Sequence, residues 1–548
     1  MALAGKRRRA GSMVGAAAAL GLVLAACADT ENIDGGGDGG GAGGGAGGVI
    51  TAGTTDTVTN LDPAGAYDNG TSQVHAQVFG YLMNTPYGSS EVEPDLAESA
   101  EFTSPTEYTV TLREGLTFAN GNELTASDVK FSFDRQVGIA HANGPSSLLY
   151  NLEEVEVVDD LTVTFHLGSE NDQVFPQILS SPAGPIVDEE VFSADGLTPA
   201  QEIVDNEGFS GPYTITDYSE NELIQFAPAD GYGGILGPVE NAGVSLTYYT
   251  DETSMKLAVQ QGDIDVAHRS LSPTDLEDLS GNENLTVHEG PGGEIRYIVF
   301  NFNTQPYGAE TEQADPERAL AVRQAVAHLI DREALSEEIY AGTYTPLYSY
   351  VPEGLTGAVE PLREMYGDGE GGPDPDAARQ ALEDAGVETP VQLDLQYNSD
   401  HYGNSSDEEY AMIESQLEAD GLFEVNLAQT LWDTYSQERT QDLYPAYQLG
   451  WFPDYSDADN YLTPFFTDET FLLNHYDDAE ANELIRQQAV ATDEAERTAL
   501  IEQAQEAVAE DLSTIPFLQG AQIAVAQNDV EGVTLDSSFK FRFAPLHR

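Results

Sequence analysis

The sequence predicts a mixed α and β protein of two or three domains, and three observations lead there. About 500 residues follow a glycine-rich stretch at 35–48, more than one hydrophobic core can use. Stretches in which apolar and polar residues alternate are interleaved with stretches in which apolar residues recur every three or four positions. Apolar and aromatic residues also recur along the whole length, so the chain should fold although 95 acidic residues stand against 21 basic ones.

Taken in order, residues 50–59 are rich in Thr and Val and read as a strand, which Leu61-Asp62-Pro63 ends. Residues 72–82 read as a short amphipathic helix with Val74, Val78 and Leu82 on one stripe. Tyr108, Val110 and Leu112 alternate with polar residues, as in a half-buried strand. Asn120-Gly121 is a turn signal. Thr125 is a helix cap with Asp128 three positions on, ahead of Val129, Phe131 and Phe133. Val155 and Val157, then Asp159-Asp160, then Leu161, Val163, Phe165 and Leu167 read as a hairpin. Asp315 and Pro316 open a helical passage running to Gly342, with Val322, Val326, Leu329 and Ile330 on its apolar face. Leu484, Ile485, Leu500, Ile501, Ala504 and Val508 mark two further helices ahead of Ile515-Pro516-Phe517.

The formal charge of −74 disfavours nucleic acid and anionic lipid as partners, and no basic run is found beyond residues 6–9. Self-repulsion on that scale calls for screening, which points to a salty external medium, where the Debye length falls to ~3 Å at 1 M. The nine histidines show no metal-ligand spacing, and neither a phosphate loop nor a nucleophile elbow is present. With 95 carboxylates, paired acids carry no weight as a catalytic signal. Binding is therefore favoured over catalysis, with no cofactor and no metal; a secreted hydrolase is the alternative from another class.

Residues 6–9 are four cations, and 13–26 carry no charge. That is the layout of a secretory signal, too short for a stable membrane span. It ends Leu24-Ala25-Ala26-Cys27, which resembles a bacterial lipobox. The resemblance implies cleavage after residue 26 and lipidation of Cys27, the one cysteine in the chain. An ordinary signal with an incidental cysteine is the other reading. Residues 27–48 would then be a flexible tether, and one cysteine allows no intrachain disulfide.

The stretch 450–461, GWFPDYSDADNY, sets Trp451 and Tyr455 beside Asp454. Aromatic faces next to a carboxylate suit a cation with an apolar body. The same letters also suit a buried turn whose Asp caps a helix.

The run 112–135 resembles the signature of the large extracytoplasmic solute-binding proteins of peptide-type ABC importers, family 5. Leu112, Arg113, Gly115, Phe118, Gly121, Leu124, Thr125, Ala126, Asp128 and Val129 match in order. Gly211-Pro212-Tyr213, opening a strand-like stretch to Phe226, resembles the family's G-P-Y turn. Residues 255–266 resemble its helix and G-x-x-D step, and Val322-Arg323-Gln324-Ala325 to Ile330-Asp331-Arg332 its V-R-x-A and I-D-R helix. The resemblance runs from about residue 50 to 533. It implies an α/β fold, the two-lobed type II periplasmic-binding-protein clamp of the large class, with an extra subdomain on lobe 1. On that plan lobe 1 comprises 49–85, 207–300 and 519–548, the inserted subdomain 86–206, and lobe 2 301–518. The two crossings fall near Asn301 and near 516–520.

Within the family, 450–461 resembles the second-lobe segment G-W-x-x-D-Y, whose Asp receives a peptide's ammonium group. The resemblance carries that role to Asp454, flanked by Trp451 and Tyr455. Dipeptide-specific members place an Arg in the stretch that here reads 395–406, which has none. His401 is its one candidate cation, with an ordinary surface histidine as the other reading. The expectation is therefore a monomeric, lipid-anchored, extracytoplasmic receptor that hands an oligopeptide to an ABC permease and ATPase. Oligosaccharide, nickel chelate or another solute is the alternative on the same fold.

Overall fold

The computed structural model describes residues 47–548, apart from 270, 404, 468–470, 537 and 539. The signal segment 1–26, Cys27 and the tether up to residue 46 lie outside the described residues.

Two long strands, Leu285–Phe300 and Thr514–Gln527, run antiparallel side by side, from Leu285 opposite Gln527 to Val299 opposite Thr514. Their pairing slips between Pro291 and Ile295. A Cβ at Gly292 would lie 2.2 Å from the Gly520 carbonyl oxygen, and one at Gly293 2.4 Å from Cγ of Pro453. Only glycine lets the chains meet so closely there. Before the slip, Leu285 packs with Met255, Val259, Leu279 and Val525 in a small apolar cluster. After it, Ile295–Phe300 enter the largest core, with Val322, Leu393, Leu449 and Ile515. Between Pro291 and Ile295 the strand thus passes from one apolar cluster to the other, where the glycine pair lets the backbones meet closely.

This pair is the middle of an eleven-stranded sheet. On one flank lie, in order, Val266–His268, Ile50–Thr54, Val244–Tyr248, Leu223–Pro228 and Tyr213–Ser219; on the other, Ala446–Trp451, Val391–Tyr397 and Phe423–Gln429; the eleventh, Tyr344–Pro346, lies off this path and pairs with Thr514–Gln527. Ile50–Thr54 is parallel to both neighbours, and Val391–Tyr397 is parallel to both of its own. A separate four-stranded antiparallel sheet, Ala97–Ser104, Glu107–Leu112, Thr162–Leu167 and Leu152–Asp159, carries its own core of Val110, Val129, Phe133 and Phe165.

Local chemistry explains the element ends. The Thr125 hydroxyl accepts from the Ser127 amide at 3.2 Å, and the Asp128 carboxylate accepts from the Thr125 amide at 2.9 Å, closing the capping box of helix Ala126–Ile139. The first helix begins earlier than its apolar stripe shows, at Asn69, because the Asp68 carboxylate caps the Thr71 amide at 2.9 Å. The strand from Ile50 stops at Thr54. The Tyr213–Phe226 stretch is two strands folded at Asn221, whose φ is 53°. The passage 315–342 is not one helix. Pro316–Leu329 ends as Ile330 turns to extended backbone, and Asp331 starts a new turn by accepting from the Ala334 amide at 2.9 Å. Among the described residues no helix is long and apolar enough to cross a membrane.

Candidate functional site

A cavity of about 660 Å³ lies across the crossing strands. The carboxyl ends of the parallel strands on both flanks feed it. Thr55 and Asp56 follow Ile50–Thr54, Thr250–Thr253 follow Val244–Tyr248, and Arg269 follows Val266–His268. From the other half come Asp400–Gly403, after Val391–Tyr397, and Phe452, after Ala446–Trp451. Ligands of open α/β sheets collect outside the carboxyl ends of strands, where helices and loops splay apart.

Its floor is built on Arg296, which is 4 % exposed. Nη1 donates to the Tyr340 hydroxyl at 3.0 Å and to Glu409 at 3.4 Å; Nη2 donates to the Tyr344 hydroxyl at 3.1 Å and to the Tyr402 carbonyl, and lies 3.2 Å from Glu294. Burial alone would lower this guanidinium, but the tyrosines, Glu409 and Glu294 outweigh it and hold the pKa above the ordinary arginine value. Burial raises Glu409 in turn, against the pull of Arg296. The cluster fixes the Tyr402 loop to the crossing strand and leaves the rings of Tyr344 and Tyr402 as cavity wall.

His401 lines the same cavity, stacked on Trp432 with ring centres 3.7 Å apart. The residue is exposed, yet desolvation pushes its pKa down to about 4, helped by the charge of Arg296 and opposed by Asp400. Among the described residues no group of three His, Cys, Asp or Glu side chains is placed to hold a metal.

Asp454 lies two residues beyond Phe452, in the loop that leaves the strand at Trp451. Asn460 organises that loop. Its Oδ1 accepts from the Trp451 indole at 2.8 Å and from the Asp454 amide at 2.9 Å, and its Nδ2 donates to Asp454 Oδ2 at 3.3 Å. The other carboxylate oxygen accepts from the Tyr67 hydroxyl at 2.7 Å, a contact that joins residues 387 apart in sequence. Among the described residues no cation pairs with Asp454. Burial pushes its carboxyl up to about 6, against the lowering by the Tyr67 and Asn460 hydrogen bonds.

Of the motif only Phe452 lines this cavity; Asp454, Trp451 and Tyr455 do not. Trp451 packs edge-on against Phe465 at 5.0 Å, towards the core, and Tyr455 is buried in the cluster of the four-stranded sheet, its hydroxyl donating to Asp459 at 3.3 Å. Alternation along the strand explains this: Trp451 faces in, so Phe452 faces the cavity. Phe452, Tyr402, Tyr67, Arg269, Arg296 and Asn460 were not singled out from the sequence. Only Phe452 and Asn460 carried a usable signal, lying inside the motif itself.

The comparisons with known proteins bear on this geometry. A model of the bacterial extracellular solute-binding proteins, family 5, middle region, matches residues 91–471, more than half of the chain. The chain belongs to this family. Heme-binding protein A of Haemophilus influenzae is 26 % identical over 547 residues, covering 94 % of this chain and 95 % of its own. Dipeptide-binding protein DppE of Bacillus subtilis is 24 % identical over 548 residues, covering 95 % of each. Among solved structures, a dipeptide-binding protein from Pseudoalteromonas sp. SM9913 in complex with Met-Leu superposes with a TM-score of 0.72 at 21 % identity, covering 91 % of this chain and 99 % of its own. This family 5 protein therefore has the two-lobed type II periplasmic-binding-protein fold. Family 5 proteins bind solutes for transport and are not enzymes, which removes the hydrolase alternative.

Proposed function

We propose that this protein captures peptides in the interlobe cleft, with Asp454 pairing the ligand's ammonium group, and delivers them to the permease of an ABC importer. The observation that carries the reading is a carboxylate with only neutral donors around it, reached from the first lobe by Tyr67 and from the second by Asn460. Such a half-buried carboxylate gains from a ligand cation and disfavours ligands lacking one. A ligand touching both lobes shifts the hinge equilibrium to the closed form. The hinge would run from the glycine pair at 292–293, with Gly520 opposite, to the lobe boundary at Asn301, with 86–206 as the inserted subdomain and 301–518 as lobe 2.

The anchor belongs to the same proposal. Cleavage ahead of Cys27 and its lipidation would hold a monomeric receptor by the tether 27–48 at the outer face of the membrane. A non-peptide solute such as an oligosaccharide or a nickel chelate is the second reading, favoured by the aromatic wall of Tyr344, Tyr402 and Phe452.

Calorimetry with a di- to penta-alanine series and with the N-acetylated form of its tightest member separates the two. The peptide reading expects acetylation to abolish measurable binding. Equal affinity for the free and acetylated peptides refutes the role of Asp454, and no binding of any peptide refutes the ligand class.

A further inference from the structure

We propose that Arg269 receives the anionic end of the ligand, a carboxylate, and so fixes which way round the ligand lies in the cleft; this rests on the peptide reading above. Four titratable side chains of cationic type line the cavity among the described residues: His268, Arg269, Arg296 and His401. The two histidines are neutral at pH 7, since burial pushes His268 down to about 3 and desolvation takes His401 to about 4. Arg296 is 4 % exposed and ringed by Tyr340, Tyr344, Tyr402, Glu294 and Glu409, so a ligand touches little of it. Arg269 keeps 23 % of its side chain exposed within the cavity wall.

Its placement is specific. Asp56 lies 3.3 Å from Nε, on one edge of the guanidinium, and the ring of Phe452 lies under the carbon at 5.5 Å. These contacts hold a planar fork whose geometry matches a carboxylate. The backbone of Arg269 sits at φ 66°, the left-handed region, which costs a residue with a side chain on the order of 1–3 kcal/mol and which folds retain where a side chain must be aimed. It follows His268 directly, at the carboxyl end of a parallel strand. Arg269 is stacked over Phe452, and Asp454 follows Phe452 by two residues in the chain.

The rest of the wall sharpens the assignment. Asp251, Glu252, Glu294 and Asp400 also line the cavity. A ligand carboxylate is repelled along that wall and finds a cation within reach at Arg269, so the reversed orientation is disfavoured at both ends. The Arg missing from 395–406 is thus replaced from the other lobe.

The test compares the tightest-binding alanine peptide with its C-terminal amide, on the wild-type protein and on Arg269→Gln. The wild type should prefer the free acid by roughly 10- to 100-fold, as a charge-assisted pair implies. In Arg269→Gln the two should bind within about twofold of each other, while Arg269→Lys retains a preference for the acid. Because each comparison is made within one protein, a partly misfolded variant does not distort the ratio. The proposal is overturned if the wild type binds acid and amide equally, or if Arg269→Gln keeps the preference. Loss of binding on N-acetylation with no effect of amidation would remove Arg269 and leave Asp454 in place; failure of every peptide would remove both.

Discussion

Asp454→Asn should move binding and stability in opposite directions. The substitution keeps the shape and an oxygen for the Tyr67 hydroxyl but removes the charge. Net, a hydrogen bond to a charged group is worth about 1.5–3 kcal/mol, so peptide affinity should fall about 10- to 160-fold at 1.36 kcal/mol per tenfold. Stability without ligand should rise. The carboxyl is raised from 3.8 to about 6 in the folded state, so the folded protein binds this proton more tightly than the unfolded chain. Its ionised form therefore costs stability, fully so above about 6, and the cost vanishes as pH falls towards 4. Two units correspond to at most ~3 kcal/mol; water at the partly exposed carboxyl reduces this to about 1–2 kcal/mol. With ~2.1 cal/mol/K of unfolding entropy per residue over ~500 residues, the ligand-free variant should melt about 1–2 °C higher. Calorimetric titration and scanning calorimetry read the two effects. An affinity within twofold of wild type would refute the ammonium assignment, and a lower melting temperature would refute the picture of a carboxylate strained by burial.

Three further outcomes follow from the same physics. Peptide affinity should fall as pH drops below about 6, by at most tenfold per unit, because only the ionised Asp454 pairs an ammonium; a flat profile from 7 to 5 contradicts this. Arg296→Met should cost about 3–5 kcal/mol in urea unfolding, since it leaves Glu294 and Glu409 buried without their cation. With a formal charge of −74, the melting temperature should climb between low and molar NaCl as screening shortens, and no change would sever the link between this composition and a salty medium.

Local signals were legible in the sequence, and long-range ones were not. Thr125 with Asp128, the Asn120-Gly121 turn and the hairpin through Asp159-Asp160 each depend on partners within a few residues. Gly121 takes φ 88°, as such a turn demands. The break at Ile330 was hidden because both pieces share one apolar stripe, and only the capping Asp331 marks it. In the site, Asp454 stood out by its neighbours in the motif. Tyr67 meets it across 387 residues, and Arg296 meets Glu409 across 113, distances over which one sequence carries no pattern. The motif also misled about Trp451: its indole serves the loop through Asn460, while the less conspicuous Phe452 faces the cavity.

The place of Thr514–Gln527 in the large sheet has a consequence for how the chain is assembled. On the proposed division lobe 2 is one continuous run, 301–518, and near its ends the Ser513 carbonyl accepts from the Phe300 amide at 3.2 Å. Its core also takes in Ile295–Phe300, already made, and Ile515, Phe517 and Leu518, so it can close once the chain reaches Leu518. Lobe 1 cannot, because the strand that fits between Leu285–Phe300 and Val266–His268 comes from the last part of the chain. Until it arrives, two strand edges stand unpaired, and unpaired edges invite association with other chains. Emerging from its amino end, the chain keeps these edges open while residues 301–513 are made, and they close only when Thr514–Gln527 arrives.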